Sequence, residues 1–412
     1  MKKVFLFLVG VLILTACEKE QHIFTEIENV SQFTALDRYL MRVAEEGITM
    51  LSYAPTRTGA QRVVDPMCTR AFIKSTTRSE VDTLFYVVNF ADNSGFALVK
   101  ADSTSSTPLL AVTEQGNYTP GELTNTGFDD YIELLSQHLT RDIRKIPIDT
   151  TALGRMYGEL EEGPEMIVAS LLDVEWGQHE PYNYHCYNNH DGSQGVAGCV
   201  PVAIAQILSH HEYPLTLTLT HPYADTLNTI MLDWNQIKTH VKTVENTPCS
   251  CPDDHFALRH LLRQIGQIAG TSYYLSIGGT NPSNVVPTFE TLGYSADGYF
   301  AYERNLVWNE LDAARPVYCR GSEGEGVHGH AWVIDGYHYQ MRIMRIYQEG
   351  VGNRLPTLIR EEDWGYDLLH INWGWDGNCN GWYDAGVFTP SNGSYVFDYN
   401  IQILTNVKPI MQ

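Results

Sequence analysis

The sequence predicts an α+β protein in which helices and antiparallel strands are segregated along the chain, and three observations lead there. In the larger, C-terminal part, helix-spaced stretches come first and runs rich in Val, Ile, Tyr and Trp come later. A shorter mixed unit of helical stretches around a hairpin precedes them. Between the two lies a segment rich in Gly, Pro, Thr and acid that has no apolar period. A helix-bearing half followed by a sheet-bearing half leaves a cleft between them.

Composition sets the outer bounds. The chain has 412 residues, 43% hydrophobic and 18% charged, which is ample for two or three globular domains. With 27 Lys and Arg against 49 Asp and Glu, the formal charge of −22 opposes nucleic acid and anionic lipid surfaces, so no nucleic-acid partner is expected.

The elements follow in order. Lys2 and Lys3 precede the apolar run Val4 to Leu14, then Thr15, Ala16 and Cys17, which together have the parts of an export signal. "LTAC" resembles the lipobox of bacterial lipoproteins, so residues 1–16 read as a signal peptide and Cys17 as the lipidated first residue of an envelope protein at the outer membrane or cell surface. A single acyl chain holds only marginally, so stable anchoring to the membrane needs two or more. Residues 17–150 form the first unit. In it "SQFTALDRYLMRVAEEG" places Leu36, Leu40 and Val43 on one helical face, and "LFYVVNFADNSGFALVKAD" reads as a hairpin turning at Asp92 to Gly95. "DDYIELLSQHLTRDIRK" closes the unit as a helix. Residues 151–165 read as a linker open to proteolysis. Residues 166–412 form the second unit, with helices at "PEMIVASLL", Val200 to His211, "HFALRHLLRQIGQIAG" and "VVPTFETLG". Its strands are "PVYCR", "HAWVIDGYHY" and "YDLLHINWG".

Within "QGVAGCVPVAIAQILSHH", Val200, Ala203, Ile204, Ile207 and Leu208 recur at helical spacing, so Cys199 falls in the first turn of a helix. Pro201 fits a first turn, where its missing N–H leaves no bond unmade. The positive end of a helix and a nearby imidazolium favour a thiolate, which makes Cys199 a candidate nucleophile; a small buried cysteine is the ordinary alternative. A nucleophile needs a base and an orienting group. In "GVHGHAWVIDGY", His328 and His330 both stand at the head of a β-like run, approached through glycines. In "LLHINWGWDG", Asn372 could fix an imidazole tautomer while Trp373 shields that bond. Gln178, in a polar loop upstream, could donate to an oxyanion. His179, His185, Cys186 and His190 cluster in sequence but lack a zinc spacing, so neither a metal nor another cofactor is expected. Eight cysteines are present, and their connectivity is not legible.

"GCVPVAIAQILSHHEYP", "GHAWVIDGY" and "INWGW", in this order and spacing, resemble the streptopain family of papain-like bacterial cysteine peptidases. "YVVNFADNSGFALVKAD" resembles the family's propeptide, and "ASLLDVEWGQHEPYN" the start of its mature enzyme. The resemblance implies a papain-like catalytic domain behind an α+β propeptide that acts as its inhibitor. By motif, Cys199 would be the nucleophile and His330, not His328, the base and acid. Gln178 would serve the oxyanion hole, Asn372 would orient the imidazole and Trp373 would cover it. The implied function is a secreted or envelope-anchored cysteine endopeptidase, made as a zymogen and acting on proteins or peptides. Cleavage is expected near Leu160 to Met166, with Arg144, Lys145 and Arg155 as sites for another protease. Three stretches depart from the family: Ser272 to Asn284, Gln340 to Asp367, and "FTPSNGSYVFDYN". They put subsite preference in doubt, where the inherited expectation is an apolar residue just before P1. An inactive lipoprotein that binds a partner through the same cleft is the alternative.

Overall fold

A computed structural model describes residues 34–51, 64–77, 80–103, 105, 107–119, 128, 131–132, 135–136, 138–139, 156–188, 191–221, 228–240, 256–274, 277–322, 329–348, 355–388 and 401–410. The signal segment, Cys17, Arg144, Lys145, Arg155, His190 and His328 lie outside them.

Helix α1 (Ala35–Met50) starts at a reciprocal cap. The Thr34 side chain accepts from Asp37 N at 3.1 Å, and the Asp37 carboxylate accepts from Thr34 N at 2.8 Å. Tyr39, Leu40, Val43 and Ala44 are its buried face, whereas Leu36, grouped with them by spacing, lies in the first turn and is exposed. That face covers an antiparallel meander of β1 (Val64–Thr77), β2 (Glu80–Phe90), β3 (Phe96–Lys100) and β4 (Leu109–Thr113). The expected hairpin joins β2 to β3. Asp92 and Asn93 take left-handed φ of 57°, and Gly95 takes φ of 113°, where a Cβ would meet Thr113 O at 2.2 Å. The described residues between 128 and 139 are helical and constitute α2, which buries Phe128, Tyr131, Ile132, Leu135 and Leu139.

From Met156 to Val168 the chain is strand β5. This corrects two expectations, because the stretch read as a featureless linker and the start of the helix read at "PEMIVASLL" are both β. The cause is tertiary: β5 runs antiparallel along β13 (Gly329–Gln348), from Met156 opposite Gln348 to Val168 opposite Tyr337. Arg345 pairs with Glu161, His338 Nε2 lies 2.9 Å from Glu165, and Arg342 lies 3.8 Å from Glu162. The expected cleavage stretch, Leu160 to Met166, therefore lies inside a paired strand.

The helical half contains α3 (Cys199–His211), α4 (Trp234–His240), α5 (Phe256–Ala269), α6 (Val285–Thr291) and α7 (Arg304–Asp312). Every residue of α3 from Val200 to Ser209 is buried, which makes it the central helix of this half. Three two-stranded ribbons fasten the loops: β6 (Thr216–Thr218) with β7 (Thr229–Met231), β8 (Ser272–Tyr274) with β9 (Ile277–Gly279), and β10 (Tyr294–Ser295) with the terminal β18 (Lys408–Pro409). The sheet half adds β11 (Tyr299–Ala301), β12 (Val317–Ser322), β13, β14 (Thr357–Asp363), β15 (Tyr366–Asn372), β16 (Gly381–Asp384) and β17 (Gln402–Leu404). Its long path runs β1-β2-β3-β4-β16-β15-β13-β12-β17-β11, with β14 and β5 also paired to β13. The meander of the first unit thus continues the sheet of the second through β4 and β16, with Trp382 opposite Val112. Among the described residues, no helix is long and apolar enough to cross a membrane.

Candidate active site

Cys199 opens α3 behind Gly198, whose φ of 92° brings the chain within 3.1 Å of Gly278 O, measured from the position a Cβ would take. Only glycine turns here without strain. The half-buried thiol packs against the core cluster that includes Tyr318, Ala331 and Val333. Burial pushes the Cys199 thiol up from its usual value, and the backbone N–H groups of Ala331, Val200 and Cys199 itself, followed by the Arg320 charge, pull it the other way. The helix terminus alone therefore does not deliver a thiolate.

Gln178 lies beside the thiol turn, because its carbonyl accepts from Ala197 N at 2.8 Å, two residues before Cys199. Its side chain is buried, and among the described residues its Nε2 has no hydrogen-bond partner. A buried amide donor left without an acceptor is costly in a resting protein, and useful where an oxyanion will form.

His330 stands at the head of β13, opposite Gly321. Alternation along the strand puts Ala331 and Val333 on the face towards α3, and puts His330, Trp332 and Ile334 on the other. The imidazole is buried against Trp332 (centroids 6.1 Å apart), Trp373 (6.2 Å) and Trp375 (5.7 Å). Its Nε2 lies 3.0 Å from Trp373 O and 3.2 Å from Trp375 Nε1. One tautomer donates to the carbonyl, and the other accepts from the indole. Burial pushes the His330 pKa down to about 4, with the Trp373 carbonyl acting weakly the other way. Near neutral pH both the thiol and the imidazole are uncharged in this conformation.

Trp373 lies against the imidazole, but the His330–Asn372 bond it was expected to cover is absent, because Asn372 does not meet the ring. Its Nδ2 donates to Val174 O at 2.8 Å and its Oδ1 accepts from Gly374 N at 3.1 Å. Register explains this: Asn372 is opposite Val333, on the face that His330 has left. Trp332 and Trp375 are partners that sequence reasoning missed, although Trp332, two residues beyond His330 in a strand, had to share its face.

The first unit closes over this aromatic group. Phe128 and Tyr131 of α2 meet Trp373 with centroids 6.5 and 6.4 Å away, and Gln115 Nε2 donates to Asp376 O at 2.9 Å. Beside them, His370 Nδ1 lies 2.6 Å from Asp335 Oδ1, and His370 Nε2 lies 3.3 Å from Glu114, which follows β4. Burial by itself lowers the His370 pKa, but Asp335 and then Glu114 overcome it and raise the value to about 10. Cys186, Cys199, Cys319 and Cys379 carry free thiols, and no group of three or more metal-ligating side chains occurs among the described residues. His185, from the sequence cluster around Cys186, is stacked on His260 with centroids 4.2 Å apart.

A thiol at the head of a central helix, next to a strand whose second residue is histidine, in a molecule of helical and sheet halves, defines the papain-like class of cysteine peptidases. Residues 176–383 match the peptidase C10 family, and the chain belongs to that family. Streptopain of Streptococcus pyogenes serotype M1 is 25% identical over 342 residues, covering 74% of this chain and 75% of its own length. The thiol protease/hemagglutinin PrtT of Porphyromonas gingivalis is 23% identical over 364 residues, 78% of this chain but 37% of that protein. Among solved structures, a prointerpain A fragment from Prevotella intermedia superposes with a TM-score of 0.53 at 21% identity, covering 83% of this chain and all of that one. The protein is a cysteine endopeptidase with the fold of a C10 enzyme and its propeptide.

Proposed function

We propose that this is an envelope-anchored endopeptidase made as a latent zymogen, with Cys199 as nucleophile, His330 as general base and acid, and Gln178 as oxyanion donor. The observation that carries the reading is the thiol at the α3 N-terminus packed against the core cluster that includes Ala331, the residue after His330. A turn of the backbone at the strand head, carrying the His330 side chain with it, takes the imidazole from the tryptophans towards the thiol and Asn372, where proton transfer from sulfur to nitrogen gives the ion pair. The thiolate then attacks the peptide carbonyl. Gln178 Nε2 and a backbone N–H hold the oxyanion, imidazolium protonates the leaving amine, and water hydrolyses the thioester.

Residues 17–150 are the inhibitory propeptide in this reading. Its α2 aromatics press on Trp373, and its β4 extends the catalytic sheet, so contacts other than the covalent link favour its retention after a cut. Cys17 is the lipid attachment residue and the membrane contact. Cys17→Ser should move the full-length chain from the membrane pellet to the soluble fraction; unchanged fractionation would remove the anchor.

The test of function follows intact mass with time for protein lacking residues 1–17, as wild type and Cys199→Ala, alongside hydrolysis of an unfolded protein. Self-cleavage and turnover in wild type only are the expected results. A folded wild type that stays inactive after a trace of added protease has removed the propeptide would transfer the cleft to partner binding.

A further inference from the structure

A cation sits in the sheet wall of the cleft, and among the described residues no carboxylate pairs with it. Arg320 on β12 is opposite Ala331 on one side and Gln402 of β17 on the other, and Gln402 is opposite Ala301 of β11. Cross-strand partners share a face, so Ala331, Arg320, Gln402 and Ala301 form one row across four strands. The next row on that face holds Val333, Tyr318, Leu404 and Tyr299, all packed towards the helical half with Cys199. The row with Arg320 is therefore the one nearer the His330 end of β13, on the thiol side of the sheet.

The guanidinium is held by neutral groups. Its Nη1 donates to Gln402 Oε1 at 2.7 Å, and the group lies 5.8 Å from the Tyr299 ring centroid. Among the described residues it makes no ion pair, in a chain whose net charge is −22. Alanines at both ends of the row leave it no bulky neighbour within the row. Its charge is felt at the thiol, where it is among the influences that favour the ionised form. A half-buried, oriented guanidinium with donors to spare binds a carboxylate more strongly than any neutral side chain.

We propose that Arg320 is a specificity-determining residue and that this peptidase prefers protein substrates with an acidic side chain close to the scissile bond. This rests on the reading of Cys199 as the nucleophile and adds to the apolar preference just before P1 that the resemblance implies. The carboxylate docks on the guanidinium face not used by Gln402, and Arg320 takes no part in bond making or breaking.

The experiment uses propeptide-processed enzyme and peptides capped at both ends, so that the only carboxylate is a side chain. The peptides differ by Glu, Gln or Lys at each position from three before to two after the cut. Wild type should favour Glu over Gln by about tenfold in kcat/KM at one position, chiefly through KM, with the margin shrinking as salt is raised. Arg320→Gln should erase the margin, and Arg320→Glu should turn it towards Lys. The wild-type ratio needs no variant to fold. Cleavage of the Gln peptide at the same rate as Glu at every position would overturn the assignment of Arg320 alone. Failure of the processed wild type to cut any peptide would overturn it together with the reading of Cys199.

Discussion

On the helical side of the cleft, Gly198, Gln178 and the head of α3 hold Cys199 in place, with a donor in waiting. On the sheet side, His330 is folded into three tryptophans on the opposite face of its strand, pushed down to about 4 and out of partnership with the thiol. Both walls are well packed, yet only one is arranged for chemistry. On the proposed reading of Cys199 and His330, latency would lie in the sheet half, against which α2 and β4 of the first unit also press. Restraining a catalytic group in a second packed position is a two-state device, biased by whatever stabilises that position.

The helical wall carries the largest expected effects. Cys199→Ala should abolish turnover of an unfolded protein by the processed enzyme, and residual thiol-sensitive activity would place the nucleophile elsewhere. Gln178→Ala should cost about a hundredfold or more in kcat with KM little changed. Wild-type kcat in that variant would mean the unpartnered amide has no role.

The sheet wall offers smaller, sharper tests. If β5 is fastened to β13, a glutamate-specific protease acting on the folded Cys199→Ala chain should cut after Glu159, Glu161, Glu162 and Glu165 at least about tenfold more slowly than in the same peptide free in solution. The processed enzyme should then keep β5, with its N-terminus upstream of Met156. Ready cutting inside β5 would return that stretch to the linker the sequence predicted. His370 titrates the seam between the two units. Its folded value of about 10 lies above the ordinary 6.5, so its stabilisation is complete below about 6.5 and is lost as pH rises through about 10. His370→Gln should lower the melting temperature of the intact chain by about 5 °C at pH 7 and by little at pH 10.5. An equal drop at both values would leave His370 a packing residue only.

Much of this was legible in local pattern. The α3 spacing with Pro201 in its first turn, the Asp92 to Gly95 hairpin, and the Val- and Trp-rich strands are short-range signals, and the chain follows them. What was not legible depends on partners far along the chain. The glutamates of β5 look like a solvated linker until Arg342 and Arg345 arrive across the ladder, and β14 then fills the long connection after Gln340. Asn372 and Trp373 were singled out from one motif, but strand alternation sends them to opposite faces, so only Trp373 meets the turned-in imidazole. Arg320 carries no motif. Its place depends on the register of four strands, which no single stretch encodes.

The claim that the thiol wall is ready while the imidazole is withheld is tested most directly by the alkylation rate of Cys199. The rate is followed by peptide mass from pH 5 to 9, before and after a trace of added protease removes the first unit. The intact chain should react slowly and only as pH approaches the raised thiol value. The processed enzyme should react rapidly down to about pH 5, as a thiolate paired with imidazolium does. Identical profiles before and after removal would contradict the account.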